Sequence, residues 1–459
     1  MPLNKPTIVI AGAGEVGYHL IENLHREVPD LLVIDSDGDV LERIAAAFEV
    51  RTEEANVIES RHMNRSYLKG VDLFLAITNS DETNMIACKT ASEAGVGKTI
   101  CRIRQIDFST SERSFSLDAL GIDQVINPVS LVAERIYQLV QSPDVVDRHE
   151  FLSGDIYLTG FKIRQSCRIA DKTAGDLEED LAERLFRIAV VQHTDMAVVP
   201  SRTTAIRPND VVYFFCRADK FGELKAYLGY AKTNVAERRI FINGGGHIGV
   251  RLAERLEQAG QRVKVIEKDL SRSFHISERL TKSLVLNFDG TDLKQLTAEG
   301  IENADFFISV TNDEKINLSS CLLAAEQGVK RTICLVHQPE FISIVEQNTP
   351  ISLGISPRVL TTKYLARFIQ RSDVRSYFPL SNSQLAILEL ELDDLTPCLG
   401  LPLKDLQFPQ NVVVGLIKRE GDILLPDGEH ELRSGDVILI IVHRLDKTKV
   451  MEFFQPLAF

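Results

Sequence analysis

Ile8-Val9-Ile10-Ala11-Gly12-Ala13-Gly14-Glu15-Val16-Gly17 is the stretch that decides the fold. An apolar run that reads as a buried strand, Thr7 to Ala11, enters three glycines spaced Gly-x-Gly-x-x-Gly. A helical pattern follows from Val16 to Arg26. Strand, glycine turn and helix in that order form the context in which a dinucleotide fingerprint carries meaning. Gly12 permits the tight turn, Gly14 lets the backbone approach a pyrophosphate, and Gly17 lets the helix pack close to the strand. Phosphates would then rest on free amides around Glu15 and Val16, at the positive end of the helix dipole. Asp35 ends the run Leu31 to Asp35, 18 residues past Gly17. That is near the spacing of about 20 expected of a ribose-binding acid. No Arg or Lys follows it directly, so a 2′-phosphate would be repelled and NAD is favoured over NADP.

The same stretch returns as Ile240-Phe241-Ile242-Asn243-Gly244-Gly245-Gly246-His247-Ile248-Gly249, a shift of 232 from Gly12 to Gly244. Thr78-Asn79-Ser80-Asp81-Glu82-Thr83-Asn84 returns as Thr311-Asn312-Asp313-Glu314-Lys315-Ile316-Asn317, shifted by 233. Asn127-Pro128 is echoed by Ser356-Pro357, and Arg207-Pro208-Asn209-Asp210-Val211 by Arg433-Ser434-Gly435-Asp436-Val437. The chain is therefore a full-length internal duplication. In the second copy Gly244, Gly246 and Gly249 carry the fingerprint, with His247 and Ile248 inside it. Glu267 lies again 18 residues on, followed directly by Lys268. A lone triplet is a weak signal, but two copies with an acid at equal distance are a strong one. The fingerprint reads adenosine ribose and diphosphate, so ATP and ADP fit it as well as NAD.

Short strands at Thr7 to Ala11, Leu31 to Asp35, Leu73 to Ile77 and Thr99 to Ile103 alternate with helices such as Asn84 to Glu93. A third strand near Glu49 to Thr52 is faintly written. Such alternation implies a parallel sheet with right-handed crossovers. After Gln141-Ser142-Pro143-Asp144 the pattern becomes strands (Ile156 to Ile163, Val211 to Cys216) with one helix, Asp176 to Leu185. Phe378-Pro379-Leu380-Ser381 reads as the matching breaker in the second copy. The fold class is α/β: two Rossmann-like doubly wound parallel sheets, each followed by a small α+β module. The expected modules are 1–140, 141–232, 233–372 and 373–459.

Composition narrows the function. A formal net charge of −13 argues against nucleic acid, which needs clustered Lys and Arg. The longest strongly apolar stretches, such as Asp436 to Val442, fall far short of the roughly 20 residues that span a bilayer. The N-terminus runs straight into a strand pattern, so a cytoplasmic protein is expected. Seven cysteines without a Cys-x-x-Cys pair suggest neither disulfides nor a metal site. Cys88 and Cys101 recur as Cys321 and Cys334, and read as core residues.

The Thr78-Asn79-Ser80 segment follows the fourth strand, at the sheet edge where ligands lie. It reads either as a helix start, with Asn79 or Ser80 as cap and Asp81 and Glu82 favourable in the first turn, or as a loop closing over the ligand. Thr311 and Asn312 repeat it. Arg102, on the fifth strand, would reach phosphate or form a surface salt bridge; its counterpart is Leu335. The ten histidines are scattered, with His193, His430 and His443 in the small modules. No acid–base set accompanies the nicotinamide position that an oxidoreductase would need. Sensing is therefore favoured over turnover, with an NAD-dependent oxidoreductase as the alternative.

These residues resemble the TrkA family, cytosolic regulatory subunits of Trk potassium uptake systems built from tandem RCK domains. The resemblance spans the chain, and Thr78 to Met85 is its most specific part. It implies a homo-oligomeric ring, taken as a tetramer, peripheral on the cytosolic face of the inner membrane beneath a membrane-embedded potassium-translocating subunit. Its implied ligands are NAD or NADH, and in some members ATP or ADP. The resemblance assigns the first site to Gly12, Gly14, Gly17, Asp35 and the loop from Thr78. It assigns the second to Gly244, Gly246, Gly249, Glu267 and the loop from Thr311. A Gly-Asp-Ala-like turn usually borders the adenine. Asp289-Gly290-Thr291 is close to it, whereas Ala55-Asn56-Val57 departs from it.

Overall fold

The computed structural model describes residues 7–25, 28, 30–59, 68–104, 117–193, 196–230, 238–366, 368, 374–380, 383–408 and 412–454. The N-terminal residues 1–6, Arg26, Ser381 and the expected module limits at 232–233 and 372–373 lie outside them.

Six strands form the first sheet: β1 (Ile8–Ala11), β2 (Leu31–Asp35), β3 (Arg51–Glu54), β4 (Leu73–Ala76), β5 (Lys98–Arg102) and β6 (Gln124–Ile126). Their order is β3-β2-β1-β4-β5-β6, with every described pairing parallel. Helices cover both faces, so β1 and β4 are buried along their whole length and read as continuous apolar runs. The third strand lies two residues beyond its expected place. It is a sheet edge whose Arg-Thr-Glu-Glu side chains stay largely exposed, so no apolar pattern marks it. β6 has only three residues and lies beyond the expected five strands.

The central strands of the second copy repeat this. Beyond the seven strands of the first small module come β14 (Ile240–Asn243), β15 (Val263–Ile266), β16 (Leu284–Leu286), β17 (Phe306–Ser309), β18 (Arg331–Leu335) and β19 (Leu353–Ile355). Their order is β16-β15-β14-β17-β18-β19, again parallel. In both sheets the order reverses between the first and fourth strands, which opens a crevice at the strands' carboxyl ends.

The first small module contains β7 (Val145–Phe151), β8 (Ile156–Lys162), β9 (Lys172–Thr173), β10 (Arg187–Gln192), β11 (Ala197–Val198), β12 (Ala205–Ile206) and β13 (Val211–Arg217). Five of these form an antiparallel sheet, β11-β10-β13-β8-β7, and β9 pairs with β12. The helix Ala174–Glu183 starts two residues before its expected place, because Thr173 and Asp176 form a capping box there. The second module has β20 (Val374–Pro379), β21 (Leu385–Glu391), β22 (Val413–Arg419), β23 (Asp422–Leu424) and β24 (Val437–His443), ordered β20-β21-β24-β22-β23. The breaker read at Phe378-Pro379 is instead the end of edge strand β20, paired with Ile387 and Ala386. An edge strand tolerates a proline because its outer side needs no donor.

Contacts divide the chain into two compact units, one of residues 5–141 with 234–369, the other of 142–233 with 370–459. Within the first unit each half lends a helix to the other. Val132, Ala133, Ile136, Leu139 and Val140 of helix Pro128–Gln141 are buried in the core of the second sheet. Leu365 of helix Pro357–Ala366 is buried in the core of the first. Proline opens both helices, where its missing N–H costs nothing. Within the other unit the two small sheets share a core that joins Phe151, Tyr213 and Phe215 to Ile387, Leu439 and Ile441.

Candidate functional site

The glycines act through what a side chain would strike. Gly12 has φ +111°, and a Cβ on it would lie 2.8 Å from the Thr78 amide nitrogen. Gly244 has φ +108° and stands 2.9 Å from the Thr311 nitrogen by the same measure. Each first glycine thus brings the turn after the first strand against the loop after the fourth. A Cβ on Gly17 would meet the Gly12 carbonyl oxygen at 2.1 Å, and one on Gly249 the Gly244 oxygen at 1.9 Å. Helix and strand therefore approach as closely as glycine allows. Gly14 and Gly246 differ: a Cβ there meets nothing within 4 Å. They face open space, and both are extended N-caps without a side-chain cap bond. The amides of Glu15, Val16, His247 and Ile248, at the first helical positions, have no acceptor within their helices. Val16 is buried and Ile248 packs on the core, so these two offer backbone alone, whereas Glu15 and His247 are exposed.

The acids hold the turns. Asp35 accepts from the Ala13 amide at 2.6 Å and the Asp37 amide at 3.0 Å, one bond per oxygen. Glu267 accepts from Gly245 at 3.1 Å and Asp269 at 2.9 Å, with Arg272 at 3.7 Å. Each carboxylate oxygen keeps a second lone pair beyond these amide bonds.

The loops after the fourth strands are pinned by asparagines that the sequence reading left out of the site. Asn84, fully buried, accepts from the Thr78 amide (2.8 Å) and hydroxyl (2.7 Å), and donates to the Thr78 and Arg102 carbonyls. Asn317 does the same for Thr311 and Leu335. The recurrence of Thr-x-x-x-x-x-Asn was the available signal. The helix cap is Ser80, which accepts from the Thr83 amide at 3.1 Å. Asn79 uses its carbonyl to accept from Arg104. Asp81 is not simply a first-turn charge, because its carboxylate accepts from the Arg104 amide and ties down the loop after β5. Asp313 caps the second copy, next to the exposed Asn312.

Arg102 stands at the crevice end of β5 with one Nη 3.4 Å from the Ile77 carbonyl. Its Nε is buried without a hydrogen-bond partner among the described residues. Burial, helped by Arg104, holds its pKa below the usual guanidinium value, against the pull of Asp81 and Glu15. It is a part-buried cation that forms no surface salt bridge among the described residues.

On the far side, Asp289 is exposed and its carboxylate accepts from the Thr291 amide and hydroxyl at 2.9 and 2.7 Å, bonds that lower its pKa. Asn56 accepts from the Ile58 amide in the same way. Asn56 therefore stands where Asp289 does, one residue off the alignment of Ala55-Asn56-Val57 with Asp289-Gly290-Thr291. The thiol of Cys88 is pushed up by contact with Cys101 and by burial, and that of Cys321 by burial and Cys334. All four are buried core thiols. A cleft of about 610 Å³ lined by Asn127, Ser130, Glu134, Arg251, Arg255 and Tyr364, among others, lies where the lent helices meet, away from the glycine turns. Among the described residues no group of His, Cys, Asp and Glu is placed to hold a metal ion. No helix among them is long and apolar enough to cross a membrane.

The chain is similar to known proteins along nearly its whole length. The chain is 29% identical over 449 residues to the "Trk system potassium uptake protein TrkA" of Halomonas elongata, covering 97% of each. It is 29% identical to "Trk system potassium uptake protein TrkA homolog 2" of Methanosarcina mazei, covering 94% of this chain and 96% of that one. The solved structure "GsuK channel bound to NAD" matches its fold with a TM-score of 0.62 at 17% identity, over 99% of this chain and 80% of that one. The TrkA-N domain family matches residues 8–128 and 240–357, and the TrkA-C domain family matches 387–455. Both glycine turns fall inside the matched spans, and the chain belongs to the TrkA-N domain family.

Proposed function

We propose that this chain is a non-enzymatic, nucleotide-binding regulatory subunit of a membrane potassium uptake system. The observation that carries this reading is the duplicated crevice. In each copy an open second glycine, uncapped helix amides and a turn-holding acid meet at the switch point of the sheet. That set suits an adenosine diphosphate moiety. NAD or NADH is the expected ligand, with ATP or ADP as further candidates. The relatives named for potassium uptake, and the related channel fold solved with NAD, support the assignment.

In this reading Gly12, Gly14, Gly17, Asp35, Thr78 and Arg102 serve the first site, and Gly244, Gly246, Gly249, Glu267, Asp289 and Thr311 the second. Copies of the chain, each built of modules 1–140, 141–232, 233–372 and 373–459, assemble as a homo-oligomeric ring, a tetramer, on the cytosolic face of a Trk-type membrane subunit. Nucleotide occupancy shifts the ring between two shapes and so gates transport. Reversing a 1:99 equilibrium takes about 5.5 kcal/mol, which several sites share in modest portions. The test is potassium flux through the reconstituted transporter with NAD, NADH, ATP or ADP. Flux that changes with at least one of them, with no NADH consumed, supports the reading. Flux indifferent to all four, or steady NADH turnover, contradicts it.

A further inference from the structure

Glu15 is the first residue of the helix Glu15–Leu24, beside the open space at Gly14. A carboxylate suits a helix start, yet this one stands where the phosphates of a ligand would arrive. Its partner comes from the other half of the chain. Arg358, second residue of the lent helix Pro357–Ala366, forms an ion pair with Glu15. The Arg358 side chain is only 19% exposed, whereas that of Glu15 is 70% exposed. Packing thus fixes the guanidinium at the crevice mouth, while the carboxylate remains free to swing into solvent. Arg102 and Arg104, faced by Asp81, also carry charge near this end. The second crevice lacks these arginines, although Glu314 takes the place of Asp81 and accepts from the His337 amide, and Arg272 stands beside Glu267. His247 replaces Glu15, Leu335 replaces Arg102, His337 replaces Arg104, and Val129 takes the place of Arg358 in the first half's lent helix.

We propose that Arg358 is the phosphate-reading cation of the first crevice, lent by the second half and held by Glu15 until a ligand phosphate displaces that carboxylate. The inference rests on the nucleotide reading of the crevice and adds to it that the first site is shared between the halves. A phosphate offers more charge and more acceptor oxygens than a carboxylate, and a fixed guanidinium can engage it with two parallel bonds. Occupancy of the first site then registers directly on the helix that carries Arg358. The ligand class follows: the first crevice favours nucleotides with two or more phosphates over the bare nucleoside, and by a wider margin than the second.

The experiment is calorimetric titration of the full-length chain carrying Gly246→Val, so that only the first crevice loads, with ADP and with adenosine. Arg358→Gln in this background should weaken ADP about tenfold while adenosine stays within about twofold. Glu15→Gln, at an exposed position that threatens no packing, should tighten ADP roughly threefold by freeing the guanidinium. The double variant should remain as weak as Arg358→Gln. Unchanged ADP affinity in Arg358→Gln would overturn the proposal, leaving only a bridge between halves. So would full recovery in the double variant, which would mean that Arg358 merely neutralises Glu15. If Arg358→Gln proves unfolded by its melting curve, Glu15→Gln decides, and a loss of ADP affinity there overturns the proposal. A Gly246→Val background that binds neither ADP nor NAD would instead remove the nucleotide reading of the first crevice.

Discussion

Beneath the first glycine turn the sheet is floored with alanine, and beneath the second with amide and hydroxyl. Ala11, Ala76, Ala87 and Val57 lie buried together in one apolar cluster. Their counterparts are Asn243, Ser309, Ser320 and Gly290. Asn243 donates to Ser309 at 2.9 Å and to Ser320 at 3.2 Å, and Ser309 donates to Asn317 at 3.0 Å. A polar chain thus links the root of the second glycine turn to the asparagine that pins the loop after β17. The exchange is compensated in volume: a Cβ on Gly290 would lie 2.1 Å from the Asn243 amide oxygen, and Val57 fills that space opposite Ala11. Duplication kept the backbone frame and the asparagines that pin its loops, and let the floor and the charge at the crevice mouth diverge.

The frame should answer to mutation alike in both halves, and the differences should not. Gly17→Ala and Gly249→Ala force a Cβ onto a backbone oxygen, so each should cost about 3 kcal/mol in urea unfolding. A much smaller loss in either half would break the equivalence of the frames. Asn243→Ala strips partners from two buried hydroxyls and should cost about 2 kcal/mol. Adding Ser309→Ala, Ser320→Ala and Gly290→Val, which rebuilds the first floor in the second half, should recover most of it. Failure of that transplant would show that the floors are not interchangeable. Arg102→Leu should bring the first crevice closer to the second, weakening ADP about tenfold by calorimetry. The smallest effect belongs to the caps: Ser80→Ala and Asp313→Ala should each cost about 1 kcal/mol of thermal stability.

Both glycine turns, Asp35 and Glu267 were legible because each rests on a spacing within one strand–turn–helix unit, and the duplication repeats that spacing. The central strands were legible because burial on both faces writes them in apolar residues. β3 was blurred because a sheet edge needs no such pattern. Asn243 gives no sign in sequence, since one polar residue at a strand end looks like the start of a turn and its partners lie 66 and 77 positions away. Arg358 was hidden for the same reason, as its ion pair with Glu15 joins one copy of the duplication to the other. The match of Asn56 to Asp289 is set by strand register, which local composition does not show.

The number of nucleotides bound per chain tests most directly the claim that each half carries a working crevice. Gly14 and Gly246 have room for a side chain in the fold, and a side chain there would fill the space proposed for a phosphate. Calorimetry with NAD and ADP should therefore find two sites in the parent protein. Gly14→Val and Gly246→Val should each leave one site, and the double variant none, all with parental melting behaviour. Two sites persisting in the double variant, or none in the parent, would contradict the account.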